Sequence, residues 1–276
     1  MWRTIKTQVQ IIFRRKLAAF LFLALLVLVL YNFLSNVKTN SEIIYITQMF
    51  QTEKVLTLSD WSPAGYYLML YFPILVVLPT CCDYLNDRNS KMLIYTQSRL
   101  GKRRYWYGKI CAVFIATLLI FTIPFLLELL ISLLCFDRGA TGDPSMVEYI
   151  ISVVEDRKIF LSSLFALNPA CYYVVMTLLF GISSAILAVF NYAVVMLFSF
   201  RFKIFAFFPV YILMYVIRIL RDNFHISFET NYFFIMRLYN ENSIHKSYIL
   251  YFAFLCILVF FAVICTEIKV RREEII

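Results

Sequence analysis

Glycine, proline, histidine and charge are all scarce in this chain. Six Gly and seven Pro among 276 residues exclude collagen-like and low-complexity chains, which are built on those two residues. Asp, Glu, Lys and Arg together make 16%, against about 25% in an ordinary soluble domain. Two separated histidines, His225 and His245, are too few for a zinc protease helix or a His-rich metal centre. The seven cysteines are odd in number and lie in or beside apolar runs. They read as small apolar fillers, not as a disulfide framework. A phosphate-cradling G-x-x-x-x-G-K-[ST] loop is missing too. Gly101-Lys102 and Gly108-Lys109 have no Gly five residues upstream and no Ser or Thr after them. Neither catalysis nor a cofactor or metal of the chain's own is expected.

What is abundant is apolar surface: 62% of residues are hydrophobic and 18% aromatic. A chain of this length has no core large enough to hide that much from water, so the expectation is an all-α integral membrane protein forming a single transmembrane domain. A spanning helix needs about 20 apolar residues. Six segments meet or approach that length: 17–34, 64–82, 110–136, 170–200, 204–220 and 248–266. The first follows Arg14-Arg15-Lys16 like a signal peptide, but no small-x-small cleavage site follows it, and it is read as an uncleaved span. The fourth contains Gly181; splitting it there would put Lys269, Arg271 and Arg272 outside, so one long helix is preferred.

The net charge of +9 gathers at the ends of these runs, which suits the inner membrane surface better than nucleic acid. With the N-terminus inside, residues 1–16 carry five Lys and Arg, the 83–109 loop seven, 201–203 two and 267–276 three. The outer loops 35–63, 137–169 and 221–247 carry two, three and three. Both termini are therefore expected to be cytoplasmic, in a multi-pass cell-membrane protein.

Outside the spans, Trp2, Ile5, Val9 and Ile12 recur at helical spacing. That stripe predicts an amphipathic helix over 1–16, lying in the headgroup region, although a plain basic lead-in to the first span is the simpler alternative. The 83–109 loop has an apolar centre (Met92, Leu93, Ile94, Tyr95, Leu100) followed by Lys102, Arg103, Arg104 and Lys109. It is longer than a turn needs and reads as a docking element for a cytoplasmic partner, with Tyr95, Tyr105, Trp106 and Tyr107 as anchors. Ordinary interfacial aromatics and positive-inside charge would explain the basic cluster but not the apolar centre. An amphipathic outer-surface helix is expected within 137–169, and 221–247 suits a re-entrant or outer-leaflet element. Glu128 and Arg218, charged and inside predicted spans, are a candidate ion pair or gate. Asn191 predicts an interhelical hydrogen bond. Pro73, Pro79, Pro124 and Pro209 predict kinked or loosened helices.

The stretch SRLGKRRYWYGK (98–109), entering the third apolar segment, resembles the cytoplasmic loop of ABC-2 type transporter permeases. Asp83 and Asp87, Ser98-Arg99, Arg104-Tyr105 and Gly108-Lys109 match that pattern. Asn89-Ser90 stands where Gly-Thr is usual, and Leu100-Gly101 replaces Pro-Val. The Arg-Leu-Gly-Lys form looks like permeases of Gram-positive bacteria. In layout the likeness covers the whole chain.

That resemblance implies a permease subunit of an ATP-driven exporter, paired with a second permease copy and with a separate ATPase chain that binds the ATP and Mg. It implies a coupling helix at 84–97, with Asp87, Arg88, Asn89, Lys91, Met92, Leu93, Tyr95 and Arg99 at the ATPase interface. The implied cargo is hydrophobic or amphipathic, an antimicrobial or toxin-like peptide of the phenol-soluble-modulin kind. The alternative is a non-transporting scaffold or sensor subunit that binds a cytoplasmic protein through 83–109.

Overall fold

Long runs of Leu, Phe, Val and Ile with few helix breakers leave the backbone little choice inside a bilayer, where each N–H and C=O must be satisfied within its own segment. The computed structural model describes residues 2–41, 56–58, 62–90, 92–136, 161–198, 200, 202–224 and 248–275. Among them the chain is helical, and no strand occurs. The elements are α1 (Trp2–Phe13), α2 (Lys16–Ser41), α3 (Pro63–Val77), α4 (Asp83–Asn89), α5 (Met92–Leu100), α6 (Lys102–Cys135), α7 (Ser162–Leu167), α8 (Pro169–Phe198), a 3-10 turn (Lys203–Phe207), α9 (Phe208–Phe224) and α10 (Tyr248–Ile275).

Four of these, α2, α6, α8 and α10, are long and apolar enough to cross a membrane. The predicted second and fifth spans are shorter apolar helices, over Pro63–Val77 and within Lys203–Ile217. Prolines bound α3 at both ends. Ser62 caps α3, its Oγ accepting from Gly65 N, and Pro63 opens the first turn, where no N–H is needed. At the far end Pro79 has no N–H for the ladder, and residues 78–82 continue as turns. Pro209 sits in the first turn of α9 and so does not kink it. Before it, Phe208 N–H bonds Phe205 O. Pro209 has no donor for the next i to i+3 bond, and Asn191 Nδ2 reaches the free carbonyl of Ala206 at 2.9 Å.

The core forms where α6 crosses α8. Small residues (Ala112, Ala116, Ala185, Ala188) are fully buried there, letting the backbones approach. α8 runs unbroken through Gly181, where an added Cβ would drive into Thr122 Oγ1 and press on Leu118. Phe180 of α8 packs on Phe72 of α3 and Phe125 of α6, with centroids 5.3 and 5.4 Å apart. α2 and α10 flank this core and turn one stripe inward. On α10 the stripe is Tyr251, Leu255, Leu258, Ala262 and Cys265, a three-four spacing. Their other faces expose residues such as Leu23, Val27, Phe260 and Val263, as lipid-facing helices do. The predicted outer helix within 137–169 falls mostly outside the described residues, which reach only α7 there, and 221–247 falls outside them beyond Phe224.

Candidate functional site

Directly below the apolar run of α3 the chain places Asp83 and Asp87 one helical turn apart on α4, so both carboxylates share a face. Arg15, at the bend between α1 and α2, meets them from one side. Its Nε lies 2.9 Å from Asp83 Oδ1 and its Nη2 2.6 Å from Asp87 Oδ1. Lys109, near the start of α6, meets them from the other, its Nζ 3.1 Å from Asp83 Oδ2 and 3.0 Å from Asp87 Oδ2. Two cations face two carboxylates, and the group is electrically balanced.

Burial makes that balance necessary. Lys109 is fully buried and the Asp83 side chain is 1% exposed. An isolated charge so placed would cost several kcal/mol (about) even after relaxation. Neutral groups complete the shell: Lys109 Nζ donates to Gln8 Oε1 at 3.1 Å, and Tyr105 Oη donates to Asp87 Oδ2 at 3.2 Å. Burial pushes the Asp83 carboxyl above its ordinary range, while Lys109 and Arg15 pull it down. One cluster thus ties α1, the α1–α2 bend, α4 and α6 together. The foot of α10 joins the same base, where Glu267 accepts from Tyr107 Oη at 3.1 Å and Lys269 Nζ donates to Tyr84 Oη at 3.3 Å.

This arrangement redistributes the residues predicted to dock a partner. Asp87 is buried in the ion cluster, paired with Arg15 and Lys109. Where one helix was predicted over 84–97, the described residues form two, α4 and α5, and Ser90 closes α4 with its Oγ donating to Asn86 O at 2.8 Å. Tyr105 and Trp106 are core residues, stacked edge-on at 5.0 Å with Tyr84 of α4 beside Trp106. Arg88 and Asn89 are exposed, Leu93 is half-buried, and Tyr95 is exposed with the Arg99 guanidinium 4.3 Å from its ring centroid. Lys91 and the Met92 side chain lie outside the described residues.

Most of the α1 stripe turns toward the protein. Ile12 is fully buried and Ile5 and Val9 are half-buried, because α1 packs on α6 and α2; only Trp2 of the four stays open, at 72% exposure. Gly108 permits the close approach, since Thr4 Cγ2 would lie 3.1 Å from a Cβ there.

A second buried polar site lies at the other end of α6. Glu128 Oε1 accepts from Asn32 Nδ2 at 2.9 Å, Thr57 N at 2.9 Å and Thr57 Oγ1 at 2.6 Å. Ser62 Oγ donates to Asn32 Oδ1 at 2.8 Å. The predicted partner Arg218 is on α9, and its side chain lies outside the described residues. Glu128's described partners are neutral groups from α2 and the 56–58 segment.

Among the described residues no group of three His, Cys, Asp or Glu is placed to hold a metal. Sequence reasoning missed the ion cluster. The available signal was a pair of acids four residues apart between two apolar runs, with a lysine immediately before the second. In comparisons with family models, with curated proteins and with solved structures, the chain matches none.

Proposed function

We propose that the chain is the membrane subunit of an ATP-driven exporter, working as two copies with a separate ATPase that docks on the α4–α5 segment. In this reading α3 and α9 complete six spans, both termini are cytoplasmic, and the cargo is a hydrophobic or amphipathic peptide moving past apolar and aromatic walls. Nucleotide chemistry belongs to the ATPase.

The observation that carries the reading is the join between an exposed face and a buried cluster. α5 presents Ile94, 69% exposed, and Tyr95, 55% exposed, the apolar and aromatic residues an interface anchor needs. It packs on α4 and α6, and α4 is held by Arg15 and Lys109. A push on α5 is therefore carried through charge pairs to the bases of α2 and α6 and not absorbed in a loose loop.

The test is to purify the tagged full chain in mild detergent, as wild type and as Ile94→Glu/Tyr95→Glu, and to identify what accompanies it. The expected result is an ATPase at about 1:1 with wild type and its loss from the variant. Melting should be unchanged, since exposed substitutions usually stay within about 0.5 kcal/mol. An ATPase held equally by both proteins would overturn α5 as the docking element. Repeated recovery with some other cytoplasmic protein would move the assignment to a scaffold or sensor subunit.

A further inference from the structure

The bend between α1 and α2 opens onto a cavity of about 390 Å³, within the usual range for a small-ligand site. Its rim is basic. Arg14 and Lys16 line it, both exposed, and Lys203 of the 3-10 turn lies within electrostatic reach of Cys82 on the same wall. Arg15 and Lys109 are consumed by Asp83 and Asp87, whereas Arg14, Lys16 and Lys203 pair with no carboxylate among the described residues. Asp83 also borders the cavity, but each of its oxygens faces a cation, Arg15 at 2.9 Å and Lys109 at 3.1 Å. The field presented to a ligand is therefore positive.

The lining also includes apolar and neutral polar groups, as a lipid requires. Leu17, on the first turn of α2, and Leu78 and Pro79, below α3, give the cavity an apolar lining. Asn86 supplies a neutral amide to the same lining. The start of α2 adds the positive end of a 26-residue helix. Basic pockets between spanning helices at the membrane surface hold lipid headgroups.

We infer that this cavity binds the phosphate of an anionic phospholipid, with Arg14 and Lys16 on the phosphodiester and an acyl chain along Leu17 and Leu78. The inference needs only that the chain sits in a bilayer; it does not depend on the exporter reading. Free phosphate shares the headgroup's chemistry but has no use for the apolar wall, and that difference separates the two.

The experiment uses the full chain in mild detergent and native mass spectrometry, titrating phosphatidylglycerol against phosphatidylcholine. Three proteins are compared: wild type, Arg14→Gln/Lys16→Gln, and Arg3→Gln/Lys6→Gln, which removes the same charge from exposed positions of α1. Wild type and the α1 control should prefer phosphatidylglycerol, and Arg14→Gln/Lys16→Gln should lose about tenfold of that preference, as expected for two surface cations. A Leu78→Trp chain, which fills the apolar wall and keeps every charge, should lose it too. Equal retention of the two lipids by wild type, or equal losses in the two charge variants, would overturn the site. Displacement of phosphatidylglycerol by millimolar inorganic phosphate, with Leu78→Trp unaffected, would overturn the lipid assignment in favour of a free phosphate.

Discussion

Carboxylates are buried towards both ends of α6, two at one and one at the other, and the two sites solve the same problem in opposite ways. At the base, Asp83 and Asp87 are answered by two full charges, Arg15 and Lys109. Towards the other end, about 28 Å away at the usual helical rise, Glu128 is answered by an amide, a hydroxyl and a backbone N–H. The base joins the α1–α2 bend, α4 and α6 through charge, so removing any one charged member leaves a net charge buried. The Glu128 site is a set of hydrogen bonds, where a neutral acceptor of the same shape would serve. The difference predicts how each end tolerates substitution.

The largest effect is expected from Lys109→Met, which leaves two buried carboxylates facing Arg15 alone. Breaking a buried pair in this way costs about 3–5 kcal/mol, readable as a large drop in Tm or loss of folded protein in detergent. Adding Asp83→Asn restores the balance of charge and should recover a substantial part of that loss. Additive losses in the double variant would break the comparison, because they would mean that the groups at the base do not act as one cluster.

Between the two ends, α6 is held to α8 by shape. Gly181→Ala forces a methyl into Thr122 and should cost about 1–3 kcal/mol. Thr122→Ala should relieve it in the double variant, while neither change should alter the coupling between Lys109 and Asp83. A Gly181→Ala protein as stable as wild type would show that the α6–α8 crossing has slack.

The Glu128 end gives the smaller and more selective response. Glu128→Gln keeps an acceptor for Asn32 and Thr57 and should cost under about 1 kcal/mol, whereas Glu128→Ala strands three donors and should cost about 1–3 kcal/mol. Should Glu128→Gln prove as damaging as Lys109→Met, a charged partner would have to be present and the contrast between the two ends would fail.

These same residues show what the sequence made readable. Among the described residues, hydropathy located each helix long and apolar enough to cross a membrane, because the length of an uninterrupted apolar run is a local property. It overestimated α3 because Pro79 ends the ladder before the apolar run ends. Charge in the 83–109 loop was visible, but its meaning was not. Asp87 and Tyr105 look like surface residues in a polar loop until α1 and α4 close over them, and closure depends on contacts between distant segments. Arg15 was one of three consecutive basic residues, and nothing local separates the one that turns inward from the two that stay exposed. Leu56 and Leu58, flanking Thr57 and each 4% exposed, carried an alternating signal inside a segment that hydropathy treats as an outer loop. Glu128 was recognisable as a special residue, but its partners were not, since topology alone does not say which helices are neighbours.

The finest test of the comparison is the pH dependence of the base. Burial holds the Asp83 carboxyl above its ordinary value of 3.8, outweighing the pull of Lys109 and Arg15. The folded chain therefore keeps a proton on this group at a pH where the unfolded chain has released it. Stability from such a group is complete below the unfolded value and is lost as pH rises through the folded one. Subtracting the melting profile of Asp83→Asn from that of wild type isolates the contribution. Above pH 3.8 the difference should fall with rising pH, by no more than about 1.4 kcal/mol per unit, and then level off once Asp83 has ionised in both states. A difference that instead grew over that window would mean that the two cations more than offset desolvation. The base would then be a net source of stability as well as a joint between helices, and Asp83→Asn should cost more at neutral pH than at pH 4 (about).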